Sequence, residues 1–272
     1  MSTIVFSHAN SFPASTYRVL FKDLRSRGFS VKAVEKFGHD PRYPVSNNWP
    51  HVVQQLVDFT QTVVAKTGTP VWLVGHSLGG FLSLMAASRH PELARGVVLV
   101  DSPLLGGWRS KAVGVMKTTQ MFGSLSPGAV SRRRRNQWPS VQAAYDHFRH
   151  KKAFAKWDDA VLMDYCEHGT LQADGKRVLS FDRQVETDFY NTLPDNLERL
   201  LARHPLKCPA SFIGGLASVE MKQVGMATTE RITRGRIALL DGSHLFPMEK
   251  PAATAAAIEA ALRNMAGNDD PK

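Results

Sequence analysis

VWLVGHSLGG, residues 71–80, decides the fold. Its first six residues form a compact apolar, β-branched run, which reads as a buried strand. A helix is expected from about Leu78. Between them lies Gly75-His76-Ser77-Leu78-Gly79, a G-x-S-x-G spacing. With Gly at about 7% of residues, a chain of this length meets that spacing by chance roughly one time in ten, so its context must decide. A turn this tight needs small residues two before and two after the serine. It leaves Ser77 exposed above the sheet edge, at a helix N-terminus whose dipole favours negative charge. The competing reading is an ordinary glycine-rich strand-to-helix turn.

Outward from this point, strands and helices alternate. TIVFSHA (3–9), VKAVEKF (31–37), VWLVGH (71–76) and GVVLVD (96–101) read as strands one to four. Ser15 to Arg27 has helical spacing, with Ser15 as N-cap and Gly28 past the end. Asn48 is placed to cap a second helix running to about Lys66, with Pro50 in its first turn. The rhythm predicts a mostly parallel sheet with helices on both faces.

For about one hundred residues the rhythm then stops. Helix-like segments run from Trp108 to Ala202, with starts at Ser126-Pro127 and Pro139-Ser140. LQADGKRVLSF (171–181) reads as a hairpin turning at Asp174-Gly175. Strands resume at ASFI (210–213) and RIALL (236–240), and an Ala-rich helix spans Pro251 to Met265. The expected organisation is a core of 1–102 and 205–272, with a helical cap (103–204) inserted between the fourth and fifth strands. Trp108, Trp138, Phe148, Phe154 and Trp157 lie in that insertion, either as its core or as walls of an apolar pocket over Ser77.

Composition bounds the function classes. The chain has 272 residues, 34 basic and 24 acidic, for a formal charge of +10. That favours anions but says nothing about fold. No zinc-finger spacing, RRM-type aromatic motif or long basic helix points to nucleic acid. SRRRRN (131–136) is the strongest charge run. Its Arg132, Arg133, Arg134 and Arg135 point all round a helix, as a solvated face or as contacts for an anionic partner. Two cysteines make no disulfide framework or metal-ligand spacing. No signal peptide or membrane span is legible, so the expectation is a cytoplasmic protein without metal or cofactor.

A serine hydroxyl needs a base to take its proton, and histidine titrates near neutrality. Asp241-Gly242-Ser243-His244 follows the last strand, at the carboxyl end where parallel sheets place their sites. His244 is the candidate base for Ser77.

Together GHSLGG (75–80), DGSHLFPMEKP (241–251) and SHANSFPASTYR (7–18) resemble the α/β-hydrolase superfamily, across about 1–102 and 205–272. The resemblance implies an α/β-hydrolase fold in which a serine nucleophile precedes its histidine along the chain. It also implies an oxyanion hole from the backbone N–H groups of Asn10 and Leu78, with Ala9 the neighbouring candidate for Asn10. His8 would brace that loop. The Asn10 side chain would polarise an acyl oxygen or brace the loop as well. An aspartate is expected after the strand at 210–213 to orient the histidine, but PASFIGGLASVE (209–220) offers Ser218 there and Glu220 beyond. Asp101, at the end of the fourth strand, is the other candidate, because some members similarly carry the acid at that place. Asp101, Glu220 or neither therefore completes the set. The implied activity is cleavage of small-molecule carboxylic esters through an acyl-enzyme. Thioesters, lactones and carbon–carbon bonds are alternatives with the same residues. A non-catalytic binding protein on a hydrolase scaffold is the reading from another class, prompted by the missing aspartate.

Overall fold

The computed structural model describes residues 2–104, 106 and 131–267. Six strands form one sheet in the order β2-β1-β3-β4-β8-β9, and all five pairings are parallel. They are β1 (Thr3–Ser7), β2 (Ser30–Ala33), β3 (Val71–His76), β4 (Ala94–Val100), β8 (Ala210–Gly215) and β9 (Ile237–Leu240). The period of two sorts their side chains between two cores. Ile4, Phe6, Val98 and Val100 face one side, under α1 (Arg18–Ser26) and the last helix, α11 (Pro251–Ala266). Val5, Leu73, Val97 and Leu99 face the other, under α2 (Pro50–Thr67) and α3 (Leu78–Arg89). Each such fully buried side chain contributes about 1.5–3 kcal/mol relative to exposure. This two-sided burial is why the strands read as apolar runs instead of alternating ones.

Between β4 and β8 the described residues form α4 (Val141–Arg149), α5 (Asp159–His168), α6 (Arg183–Asn191) and α7 (Leu197–Arg203). They also form a small antiparallel sheet of β5 (Gln137–Trp138), β7 (Lys176–Leu179) and β6 (Thr170–Ala173). The hairpin turns where the sequence indicated, with positive φ at Asp174 (47°) and Gly175 (72°). Ser140 caps α4 by accepting the Ala143 N–H, as its position suggested. The expected start at Ser126-Pro127 and the aromatic Trp108 lie outside the described residues. Two short helices, α8 (Val219–Val224) and α9 (Ala227–Thr233), separate β8 from β9, and α10 (Phe246–Glu249) precedes α11.

Three local expectations are corrected. Ser15 is not the cap of α1. It lies in a 3₁₀ turn (Ala14–Tyr17), and its hydroxyl donates to Glu35 instead. Asn48 does not cap α2. Trp49 takes the capping position in a left-handed conformation, and the Asn48 side chain accepts from the Asp195 N–H. The second strand stops at Ala33 because residues 34–37 leave the sheet edge to serve the loop after β1. There the Glu35 carbonyl accepts from Ala14 N–H, and Phe37 N–H donates to His8.

The topology positions the site. From β1 the chain steps outward to β2 and then crosses back to β3 on the other side of β1. Loops leaving β1 and β3 therefore diverge, and such a switch point opens a crevice at the carboxyl ends of the strands. Among the described residues no helix is long and apolar enough to cross a membrane, and Cys166 and Cys208 form no disulfide.

Candidate active site

Ser77 stands at that crevice on a strained turn, with φ 54° and ψ −118°. Such a conformation costs a non-glycine residue about 1–3 kcal/mol and persists only where its surroundings impose it. The impositions are visible. Ser77 N–H donates to the Val100 carbonyl at 2.9 Å, and the Ser102 hydroxyl donates to the Ser77 carbonyl at 2.7 Å. A Cβ on Gly75 would sit 2.1 Å from the Gly79 carbonyl oxygen, and one on Gly79 would sit 2.0 Å from that of Ser7. The two glycines of the spacing are therefore steric necessities.

The loop after β9 brings His244 to this turn. Its Nε2 lies 3.0 Å from Ser77 Oγ and its Nδ1 lies 2.6 Å from Asp101 Oδ2. The Glu249 carboxylate accepts from both the N–H and the hydroxyl of Ser243 and so fixes the loop. Asp101 directly follows β4 and is fully buried. Its Oδ1 accepts the Gly215 N–H at 2.8 Å, and its Oδ2 also accepts the Ser218 hydroxyl at 2.6 Å. Ser218, in the place where an aspartate was expected, is thus a donor to the acid from the neighbouring strand. Glu220 is half-exposed, with its nearest oxygen 3.8 Å from His244 Nδ1. The structure therefore brings Ser77, His244 and Asp101 into direct hydrogen-bond contact and leaves Glu220 outside it.

The electrostatics follow from these contacts. Burial alone would lower the His244 pKa. The Asp101 hydrogen bond and the charges of Glu220 and Asp101 outweigh burial, and the imidazole sits above its ordinary value. This is the direction expected of a base that must accept a proton from a hydroxyl. Asp101, Glu220 and His244 also form one of two clusters, among the described residues, with the spacing of a metal site. In it Asp101 and His244 are already bonded to each other. In the second, Asp164, Glu167 and His168 on the insertion, Arg18 pairs with Asp164.

Asn10 and Leu78 line the same cavity as Ser77 and His244. The Ala9 carbonyl accepts from His8 Nδ1 (2.8 Å) and from the Phe12 N–H (3.1 Å). Across a trans peptide the N–H opposes the carbonyl, so the Asn10 N–H points away from both donors. The Ala9 N–H is committed to the Tyr17 hydroxyl at 3.0 Å. His8 braces the loop from inside. Burial pushes its pKa down to about 4, so the neutral ring donates through Nδ1 and accepts the Phe37 N–H through Nε2. Asn10 also braces this side of the cavity through its side chain. Its Nδ2 donates to the Glu186 carbonyl of α6, tying this loop to the insertion.

The cavity has a volume of about 140 Å³. Its apolar walls come from Phe12, Trp49, Phe81, Phe189 and Leu193, with the Tyr190 ring beside them. Sequence reasoning missed these residues. Trp138, Phe148 and Trp157, which it considered as walls, are buried in the core of the insertion instead, and Phe154 packs half-buried against Phe148 and Trp157. A helical signal for Phe81 was available, since it lies four residues after Ser77 on α3 and so shares its face. The arginine run divides. Arg134 pairs with buried Glu186 at 2.8 Å, while Arg132, Arg133 and Arg135 are exposed, Arg135 lying over the Trp138 ring at 5.7 Å.

Known proteins agree with this architecture. The chain is similar to a monoglyceride lipase homolog of monkeypox virus, 26% identical over an alignment of 140 positions that covers 47% of this chain and 51% of the viral protein. It thus matches about half the length of that relative. It is similar to a serine hydrolase-like protein of Dictyostelium discoideum, 23% identical over 88% of this chain and 69% of that one. An E-2-(acetamidomethylene)succinate hydrolase of known structure shares its fold, with a TM-score of 0.74 and 19% identity over 96% of this chain and 91% of that one. The alpha/beta hydrolase family model matches residues 4–257, from the first strand to the last helix, so the chain that builds this crevice belongs to the alpha/beta hydrolase family.

Proposed function

We propose that the chain is a serine hydrolase that cleaves small-molecule carboxylic esters through a covalent acyl-enzyme. The observation that carries this reading is the continuous contact from Ser77 Oγ to His244 to Asp101, at 3.0 and 2.6 Å, on a strained strand-to-helix turn. Ser77 attacks the ester carbonyl while His244 Nε2 takes its proton, and Asp101 stabilises the imidazolium through Nδ1. The N–H groups of Asn10 and Leu78 receive the developing oxyanion, aided by the dipole of α3. His244 then protonates the leaving alcohol, and water, deprotonated by the same ring, releases the acid. Residues 1–102 and 205–272 serve as the core and 103–204 as the cap.

The cavity limits the substrate. A hydrocarbon-lined cavity of roughly 150 Å³ holds one benzene ring, so the 140 Å³ here suits an acyl group of a few carbons or a single ring. Among the described residues no Lys, Arg, Asp or Glu lines it, which favours an uncharged acyl portion. The Asp101–His244 contact supports the catalytic reading over a non-catalytic binding protein. An anionic partner at the arginine run would meet Arg132, Arg133 and Arg135, with Arg134 already paired to Glu186.

Hydrolysis of p-nitrophenyl esters from acetyl to dodecanoyl tests the reading, with Ser77→Ala as control and an organophosphonate probe read by mass spectrometry. The expected outcome is turnover strongest on short acyl chains, no turnover in Ser77→Ala, and a phosphonate adduct on Ser77. A folded wild type that turns over no chain length and takes no adduct would overturn it.

A further inference from the structure

We propose that Tyr17 and His76 are positioning residues: one directed chain of hydrogen bonds through them locks the Asn10 loop, the Ser77 turn and the His244 loop together. The proposal rests on the ester-hydrolase reading above for its kinetic consequence, but its geometry stands apart from that reading. G-x-S-x-G leaves its second position open, and His76 fills it with a ring that is fully buried.

The direction of the chain follows from counting protons. His76 Nε2 lies 2.9 Å from the backbone carbonyl oxygen of His244. A carbonyl only accepts, so Nε2 carries a hydrogen. Burial, with the nearby His244 ring adding to it, pushes the His76 pKa down to about 3, so the ring is neutral and has only that one hydrogen. Nδ1 is then bare and accepts. The Tyr17 hydroxyl, 2.8 Å away, donates to it. That hydroxyl in turn accepts the Ala9 N–H at 3.0 Å. The order is Ala9 N–H to Tyr17, Tyr17 to His76, and His76 to the His244 carbonyl, with no N–H or O–H left over.

The ends of this chain are informative. Ala9 precedes Asn10, whose N–H is the proposed oxyanion donor. The far carbonyl belongs to the proposed base itself. The middle member is bonded through the backbone to Ser77. Three separate segments, of which those of His76 and His244 are 168 residues apart in sequence, are thereby fixed by two side chains. Catalytic groups held loosely by about 1 Å can lose a hundredfold in rate, and neither ring of this strut needs to touch substrate to prevent that.

A role in filling the core alone makes a different prediction. Tyr17 packs 4.9 Å from Phe6, and a phenyl ring in its place would keep that packing. Steady-state kinetics on the ester that wild type uses best would therefore be measured for Tyr17→Phe, His76→Leu, His76→Gln and the double Tyr17→Phe/His76→Leu. Tyr17→Phe and His76→Leu are each expected to lower kcat tenfold or more with KM within twofold. His76→Gln, which can still donate to the His244 carbonyl, should recover part of the loss. The double should be no worse than its poorer single, because both break one chain. A kcat within twofold of wild type in Tyr17→Phe, or losses that multiply in the double, would overturn the proposal. Nitrogen-15 NMR of histidine-labelled wild type supplies a readout free of activity and of variant folding. His76 should appear as the neutral tautomer protonated at Nε2, and protonation at Nδ1 would overturn the proposal even in a fully active enzyme. Wild type that is inactive on every ester and unlabelled at Ser77 would overturn the functional reading instead, with the tautomer still deciding the strut.

Discussion

Replacing Asp101 by asparagine should cost about 10⁴ in kcat, and the structure says why the loss should be large. The carboxylate has two separate duties. Oδ1 accepts the Gly215 N–H, while Oδ2 accepts from the Ser218 hydroxyl and from His244 Nδ1. An asparagine has one acceptor oxygen. If that oxygen keeps the Gly215 bond, the amide NH₂ faces His244 Nδ1, which must then give up its hydrogen and accept. The neutral ring would carry its hydrogen on Nε2, facing Ser77, and the base would be lost. If the amide flips, its NH₂ faces the Gly215 N–H, leaving a buried donor unpaired at about 1–3 kcal/mol. In either orientation the full negative charge that stabilises the imidazolium is gone. An acid-to-amide change of this kind leaves geometry intact and costs about 10⁴ in kcat, or roughly 5.5 kcal/mol.

The comparison variant is Glu220→Gln. Its carboxylate is 3.8 Å from His244 Nδ1 and half-exposed, where a charge pair is worth about 0–1 kcal/mol, so kcat should change by at most about fivefold. The assay is p-nitrophenyl ester turnover by both variants and wild type, with circular dichroism confirming the folded state. Asp101→Asn retaining a tenth of wild-type kcat, or Glu220→Gln falling further than Asp101→Asn, would refute the assignment of the acid.

Two further predictions concern pH. Glu220 helps to hold the proton on His244, so Glu220→Gln should move the acidic limb of kcat/KM toward lower pH, and a limb that stays or moves upward would contradict the electrostatic account. His8 and His76 are held neutral when folded, with pKa values of about 4 and about 3, whereas unfolded histidines titrate near 6.5. Below pH about 6.5 the unfolded chain therefore binds protons that the native fold refuses, and stability should fall as pH drops toward about 4, by about 1.4 kcal/mol per pH unit for each group. His244, with its raised pKa, acts in the opposite sense. Urea unfolding between pH 6.5 and 5 should show a slope smaller by about one proton in His8→Gln, and an unchanged slope would remove His8 from the account.

Legibility in the sequence tracked how local the constraint is. The bounds of β3 and the start of α3 could be read to the residue, because Gly75 and Gly79 admit no other backbone path past Ser7 and Gly79 itself. The caps of α1 and α2 could not, because Ser15 and Asn48 spend their side chains on partners 20 and 147 residues away. Tertiary demand there overrides capping preference. The cavity walls were hidden for the same reason: Phe12, Trp49, Phe81 and Phe189 come from four separate segments, and apart from the four-residue spacing of Phe81 from Ser77 nothing periodic marks them.

The choice between Asp101 and an acid after β8 was open in the sequence because the two places are adjacent in space. Val100 pairs with Ile213, and the Asp101 N–H donates to the Ile213 carbonyl at 2.7 Å. The two strand ends are neighbours on one rim, so a carboxylate leaving either can reach His244. They are not independent, however. Ser218 Oγ sits 2.6 Å from Asp101 Oδ2. Two carboxylates that near would have to share a proton, because both cannot stay ionised. An acid at one place therefore disfavours a second acid at the other. Ser218 is compatible with Asp101 because its neutral hydroxyl donates to the carboxylate where an aspartate would repel it.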